Sequence, residues 1–93
     1  MIRRVELSMR AIHDLRRAPR HVAVKLQSWV DLIEQSGLEY TRRIPGYHDE
    51  PLKGKRTGQR SIRLSRSYRA IYYHEESNQG AMIIVSEVHK HDY

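Results

Sequence analysis

Ser61-Ile62-Arg63-Leu64-Ser65-Arg66-Ser67-Tyr68-Arg69-Ala70-Ile71-Tyr72 is the stretch whose reading decides the fold. Apolar and polar side chains alternate on either side of the short polar Arg66-Ser67 connection, the pattern of two half-buried strands turned tightly on each other. A β-hairpin is predicted, with strands over about 60–65 and 68–75. A third strand, about 81–88, follows the Glu76-Ser77-Asn78-Gln79-Gly80 turn and completes an antiparallel meander. Its Met82-Ile83-Ile84-Val85 run is continuously apolar, which places that strand centrally in the sheet with the long helix over at least one face.

Upstream, Val22, Leu26, Trp29, Val30 and Ile33 make one apolar helical stripe and leave Lys25, Gln27, Asp31 and Glu34 to solvent. Ser36-Gly37 supplies a left-handed stop. Before this helix, Ser8 caps a shorter one whose apolar positions are Met9, Ile12 and Leu15, ended by Ala18-Pro19. Ile2 to Leu7 alternates as a short strand. From Glu39 to Gln59 the pattern dissolves into Pro45-Gly46, Asp49-Glu50-Pro51 and two further glycines, a loop of the length that compact domains keep for function or leave disordered. The expected order is β-α-α-β-β-β. This is an α+β fold, a helical hairpin packed on a small antiparallel-dominated sheet, in a single domain over residues 1–93.

Lys and Arg number 17 against 11 Asp and Glu, a formal net charge of +6, which attracts a polyanion or an acidic protein without choosing between them. The absence of cysteine excludes a disulfide framework and, despite six histidines, argues against the usual structural zinc sites. His89-x-His91 lacks two further ligands at fixed spacing, so no metal site is expected there. No apolar run has the length of a secretory signal or a membrane span; a soluble, cytoplasmic protein without membrane contact is expected.

Glu50-Pro51-Leu52-Lys53-Gly54-Lys55-Arg56 sets one carboxylate in front of a cationic run that continues through the hairpin. Metal-free cleavage of RNA requires a base for the 2′-hydroxyl proton, cations for the phosphate, and a proton donor for the leaving 5′-oxygen. Glu50 is the candidate base, against the plain alternative of a solvated loop carboxylate. Lys53, Lys55, Arg63 and Arg69 are the candidate phosphate clamps, and Lys55 and Arg56 the candidates for steering RNA. Arg60 and Arg66 read as part of a cationic sheet face kept for solubility. His13, His21 and His74 read as surface residues, Trp29 as core, and Tyr40 and Tyr47 as packing against the sheet rather than stacking on RNA.

Helical hairpin, Glu-Pro-Leu-Lys-Gly loop, two arginines six apart in a β-hairpin and a terminal Glu87-Val88-His89-Lys90-His91-Asp92-Tyr93 together resemble the RelE/ParE superfamily of bacterial toxins, within it the ribonuclease toxins of YoeB and HigB type. The resemblance covers nearly the whole chain; its specific part is 50–72 with the last five residues. It implies a RelE-like fold and the toxin of a type II toxin–antitoxin pair. It implies further that mRNA is cut in the ribosomal A site without metal or cofactor. The implied partners are an acidic, partly disordered antitoxin, with operator DNA bound only through the antitoxin complex. Glu50 then stands where YoeB-like toxins have a catalytic Glu and HigB-like ones a His. Arg63 and Arg69 match catalytic arginines, and Lys53 is the better-matched lysine.

At the C-terminus, relatives place a His or Tyr as general acid or base-stacking platform. Tyr93 aligns by position, His91 is the easier acid, and Asp92 is placed to orient either. His89 and Lys90 are expected to contact RNA. YoeB-like toxins end His-Tyr and HigB-like ones carry Asp-Tyr before a last residue, so His91-Asp92-Tyr93 leaves the donor open. ParE-type relatives share the fold but poison DNA gyrase by contact, and lack the acid, the arginines and the C-terminal aromatic. A relative that only binds its antitoxin is the third option.

Overall fold

The apolar stripe of the long helix is buried as its spacing predicts: Val22, Leu26, Trp29, Val30 and Ile33 all lie inside α2 (Arg20–Ser36) against the sheet. In this computed structural model, which describes residues 1–90, α2 is preceded by β1 (Val5–Leu7) and α1 (Met9–Arg17). It is followed by α3 (Leu38–Arg42), β2 (Glu50–Pro51), β3 (Arg60–Arg63), β4 (Tyr68–Ser77) and β5 (Gly80–Lys90). Among the described residues the strands form one mixed sheet in the order β1-β5-β4-β3-β2, with β1 parallel to β5 and the other pairs antiparallel. The α+β class and the helical hairpin on an antiparallel-dominated sheet are as expected. The roles expected of His91, Asp92 and Tyr93 lie outside the described residues.

Local chemistry explains the element ends. Ser8 Oγ accepts from the Ala11 N–H at 3.0 Å and donates to the Ser86 carbonyl at 2.7 Å, so one hydroxyl caps α1 and ties it to β5. Gly37 stops α2 at φ +85°, its N–H donating to the Ile33 carbonyl at 2.8 Å. A Cβ there would meet the exposed Met1 side chain, which can move aside, so it is the backbone angle that calls for glycine.

Four expectations change. The 39–59 segment is not a plain loop, because it contains α3, two 3₁₀ turns at Pro45–Tyr47 and Gly54–Arg56, and β2. In α1 it is Ala11 that is fully buried, while Met9 stands out in solvent, so the stripe is rotated from the one expected. The β3–β4 connection takes four residues, Leu64 to Ser67, rather than two, closed by Leu64 and Ser65 N–H groups on the Tyr68 carbonyl. Arg63 therefore faces Arg69, whereas a two-residue turn would have set Leu64 there. Finally, the β4–β5 turn shrinks to Asn78-Gln79 as both strands run on to Ser77 and Gly80, while β5 is an internal strand as expected, paired with β1 and β4.

The core lies between the helices and one face of the sheet. Ile62, Ala70, Tyr72, Ile83, Val85 and Val88 come from the strands, and Trp29 meets Tyr72 with ring centroids 5.1 Å apart at 53°. Each fully buried large apolar side chain contributes about 1.5–3 kcal/mol relative to exposure. Ile71 and Met82 are buried as well but stand outside this cluster, because the alternation along β4 and β5 turns them to the opposite face. That face carries the candidate site.

Candidate active site

Directly opposed residues of antiparallel strands share a face, so the strand register lays out the open face as rows. One row runs Glu50, Ser61, Ile71, Glu87 from β2 to β5; the next runs Arg63, Arg69, His89 from β3 to β5. Carboxylates close both ends of the first row, and cationic or titratable groups fill the second.

A bulge creates this arrangement. Strict alternation would put Val85 and Glu87 on one face, which would drive a carboxylate into the core or a valine out of it. The pairing slips between Ile71 and Tyr72, so that Tyr72 faces Val85, Ile71 faces Glu87, and Ser86 is the extra residue, its Oγ donating to the Ile71 carbonyl at 3.2 Å. Val85 and Val88 stay in the core while Glu87 and His89 reach the open face.

Glu50, Leu52, Arg56, Ser61, Arg69, Ile71 and His89 enclose a cavity of about 320 Å³ on this face. Arg69 Nη1 stands 3.7 Å from Glu50 Oε1 and 3.5 Å from Ser61 Oγ. The arginine side chain is 21% exposed and the glutamate 55%, so the pair is loose and open to a ligand on the acid's side. Arg56, on the second 3₁₀ turn, crosses to Glu87 and binds both carboxylate oxygens at 3.1–3.3 Å, which folds the 52–59 segment over the sheet as one wall of the cavity. His89 Nε2 is 3.9 Å from Glu87 Oε1, and Arg10 Nη1 of α1 is 3.8 Å from Oε2. Glu87 is thus a buried carboxylate shared by three basic groups.

The other face of β2 does different work. Asp49 has a side chain with no exposure, bound to Arg60 Nε at 2.6 Å and accepting the Tyr72 hydroxyl hydrogen bond. Burial pushes the Tyr72 hydroxyl pKa far above the ordinary tyrosine value, and the hydrogen bond to Asp49 and its charge push it further the same way. At Arg60 burial opposes the charged form, but the bond and charge of Asp49 outweigh it and the guanidinium is held more firmly protonated. The clamp fixes the residue next to Glu50, and so fixes a strand of two residues.

Of the residues expected at the site, Glu50, Arg56, Arg69 and His89 are brought together. Arg56 is not a free steering cation, because it is committed to Glu87. Lys53 and Lys55 sit exposed on the 52–59 segment and do not line the cavity, and Lys90 lies beyond it at the end of β5. Arg63 shares the Arg69 row but lines a neighbouring cavity with His21, Lys25 and Arg66. Arg60 is no solubility residue, since it is three-quarters buried on Asp49. Tyr47 is buried as expected, whereas Tyr40 is exposed. Sequence reasoning missed Asp49 and Glu87; the available signal for Glu87 was a charge two residues past an unbroken apolar run.

No protein-family model matches the chain, and no curated protein matches it. Solved structures do. YafQ from E. coli strain BL21(DE3) superposes with a TM-score of 0.71 at 18% identity, covering 92% of this chain and 90% of that one. The YoeB/ParE toxin from Agrobacterium tumefaciens gives 0.65 at 22% identity over 96% and 99% of the two chains. In the E. coli DinJ-YafQ toxin-antitoxin complex the match is 0.70 at 20% identity over 95% and 92%. At these identities the likeness fixes the fold, which is that of the RelE/YoeB toxins, the group the motifs resemble.

Proposed function

We propose that the protein is the toxin of a toxin–antitoxin pair and a metal-independent endoribonuclease acting on mRNA in the ribosomal A site in the cytoplasm. The observation that carries this reading is the convergence of Glu50, Arg69 and His89 on one cavity, with the arginine between a carboxylate and an imidazole. Glu50, exposed at the cavity mouth, takes the proton of the 2′-hydroxyl as it attacks phosphorus. Arg69 gives up its loose contact with Glu50 and holds the phosphate oxygens as charge builds on them. His89, on the far side of Arg69 from Glu50, protonates the departing 5′-oxygen, so base and acid flank the phosphate as an in-line displacement requires. The products are a 2′,3′-cyclic phosphate and a free 5′-hydroxyl. His91 and Tyr93, which follow His89, are the alternative donors, and Asp92 the residue that orients them.

The fold neighbours include toxin–antitoxin complexes, which supports an antitoxin partner. An acidic, partly disordered segment that neutralises the +6 charge and covers the Arg69 cavity would inhibit by occupying it. The deciding experiment expresses the chain in growing cells, maps new mRNA 5′ ends and assays DNA breaks in parallel. Growth arrest with new 5′-hydroxyl ends is expected; arrest with DNA breaks and intact mRNA would overturn the reading.

A further inference from the structure

Glu87 is a buried carboxylate on the open face to which the chemistry above gives no part. Its side chain is 10% exposed, and taking a carboxylate out of water is costly unless its partners compensate. The bulge at Ser86 is what brings it to this face at all. Arg56 donates to both of its oxygens, Nη2 at 3.1 and 3.3 Å and Nη1 at 3.3 Å, a fork that fixes the plane of the carboxylate. Each oxygen then has a further neighbour of its own. Oε2 lies 3.8 Å from Arg10 Nη1, and Oε1 lies 3.9 Å from His89 Nε2. Glu87 and His89 are two positions apart on β5, so their side chains leave the strand from the same face. The residue between them is held as well: the Val88 N–H donates to Asp14 Oδ2 at 2.9 Å, and the same oxygen stands 3.9 Å from Arg10 Nε. Helix α1 thus fixes the backbone beside His89 while Arg56 fixes the carboxylate.

Anchoring the 52–59 segment through Arg56 accounts for one side of Glu87; the other side faces His89. A carboxylate beside one nitrogen of an imidazole sets which edge of the ring is turned to the reaction, as the acid of a Ser-His-Asp triad does for its histidine. We propose that Glu87 is the positioning residue for the proton donor: it keeps His89 Nε2 turned to itself and leaves Nδ1 for the departing 5′-oxygen. The proposal rests on the ribonuclease reading and deepens it. In the step, the 2′-hydroxyl passes its proton to Glu50 as the 2′-oxygen closes the cyclic phosphate. The bond from phosphorus to the 5′-oxygen breaks, and its electron pair takes the Nδ1 proton. His89 ends neutral, with the Nε2 proton still directed at Glu87.

The test compares single-turnover cleavage of ribosome-bound mRNA carrying either the natural oxygen or a sulfur at the scissile 5′ position, since a thiolate departs without needing a proton. Glu87→Gln is expected to slow the oxygen substrate on the order of tenfold and the sulfur substrate by less than about twofold. His89→Gln should show the same rescue from a deeper loss, and Glu50→Gln should slow both substrates alike. The ratio of the two rates does not depend on how much of a variant is folded. If Glu87→Gln fails to fold, the triple variant Arg10→Gln, Arg56→Gln, Glu87→Gln removes the charges of the cluster together and is compared with the double variant Arg10→Gln, Arg56→Gln. An equal loss on both substrates, or none, with His89→Gln still rescued, overturns the proposal: Glu87 then only anchors the wall of the cavity, and the ribonuclease reading stands. Absence of rescue in His89→Gln puts the donor elsewhere and overturns it too. A wild type that cuts neither substrate overturns both readings.

Discussion

Asp49 and Glu50 are consecutive carboxylates, each set against an arginine, and they differ in almost every physical respect. Asp49 has no exposed side-chain surface and sits 2.6 Å from Arg60; Glu50 is 55% exposed and 3.7 Å from Arg69. A buried pair is costly to desolvate, and here the excellent geometry and the Tyr72 hydroxyl compensate that cost. An exposed pair at that distance is worth about 0–1 kcal/mol and is easily exchanged for another partner. One face of β2 therefore holds the strand, and the other is left open to solvent and to a ligand.

The largest effect should come from breaking the clamp. Asp49→Ala leaves Arg60 partly buried without its acid, and we expect a loss of about 3–5 kcal/mol, read as a lower urea midpoint at constant slope. A loss below about 1 kcal/mol would show that the two carboxylates are not so different. Next come Glu50→Gln and Arg69→Ala, which should each slow single-turnover RNA cleavage on the order of 10²-fold while the urea midpoint barely moves for Glu50→Gln. Cleavage by Glu50→Gln at the wild-type rate would remove the base from its assigned place.

Tyr72→Phe sharpens the comparison from the core side, with an expected cost of about 1 kcal/mol near neutral pH. Because the folded-state pKa of Tyr72 is raised, its contribution is complete below the ordinary tyrosine pKa of about 10 and is lost as pH rises above it. Wild-type stability should thus fall as pH climbs past that value, and more gently in Tyr72→Phe. The smallest effect belongs to Lys55→Ala. This exposed residue should shift RNA affinity only at low salt and leave the cleavage step intact.

How far the sequence could be read follows from the same contrasts. The α2 stripe was legible because five apolar residues keep one helical period, and Glu50 and Arg69 were legible because they belong to a motif. α3 was not, since five residues are too few to nucleate a helix unaided. It is held by one tertiary bond, the Leu38 N–H donating to the Ile2 carbonyl, and by a local one, Thr41 Oγ1 donating to the carbonyl of the Gly37 cap. β2, with two residues, has no period to read. Glu87 was hidden because the bulge at Ser86 breaks the alternation from which faces are assigned. The place of Arg63 was not legible, because the expected two-residue turn would have set Leu64 opposite Arg69, and the cavity that Arg63 lines depends on α2 and the Pro45–Tyr47 turn, which arrive from elsewhere in the chain.

The parallel pairing of β1 with β5 has a consequence for how the molecule comes into being. Ser8 and Ser86, joined by a hydrogen bond, are 78 residues apart, so β1 finds its sheet only when β5 has been added. Closing so long a loop costs entropy before any contact repays it, which makes this pairing a late event in folding. His89 and Glu87 lie on that same final strand. During synthesis a nascent chain that stops at β4 has Glu50 and Arg69 but neither His89 nor the anchor for Arg56. The cavity is therefore completed in one late step, and partial products of translation lack it.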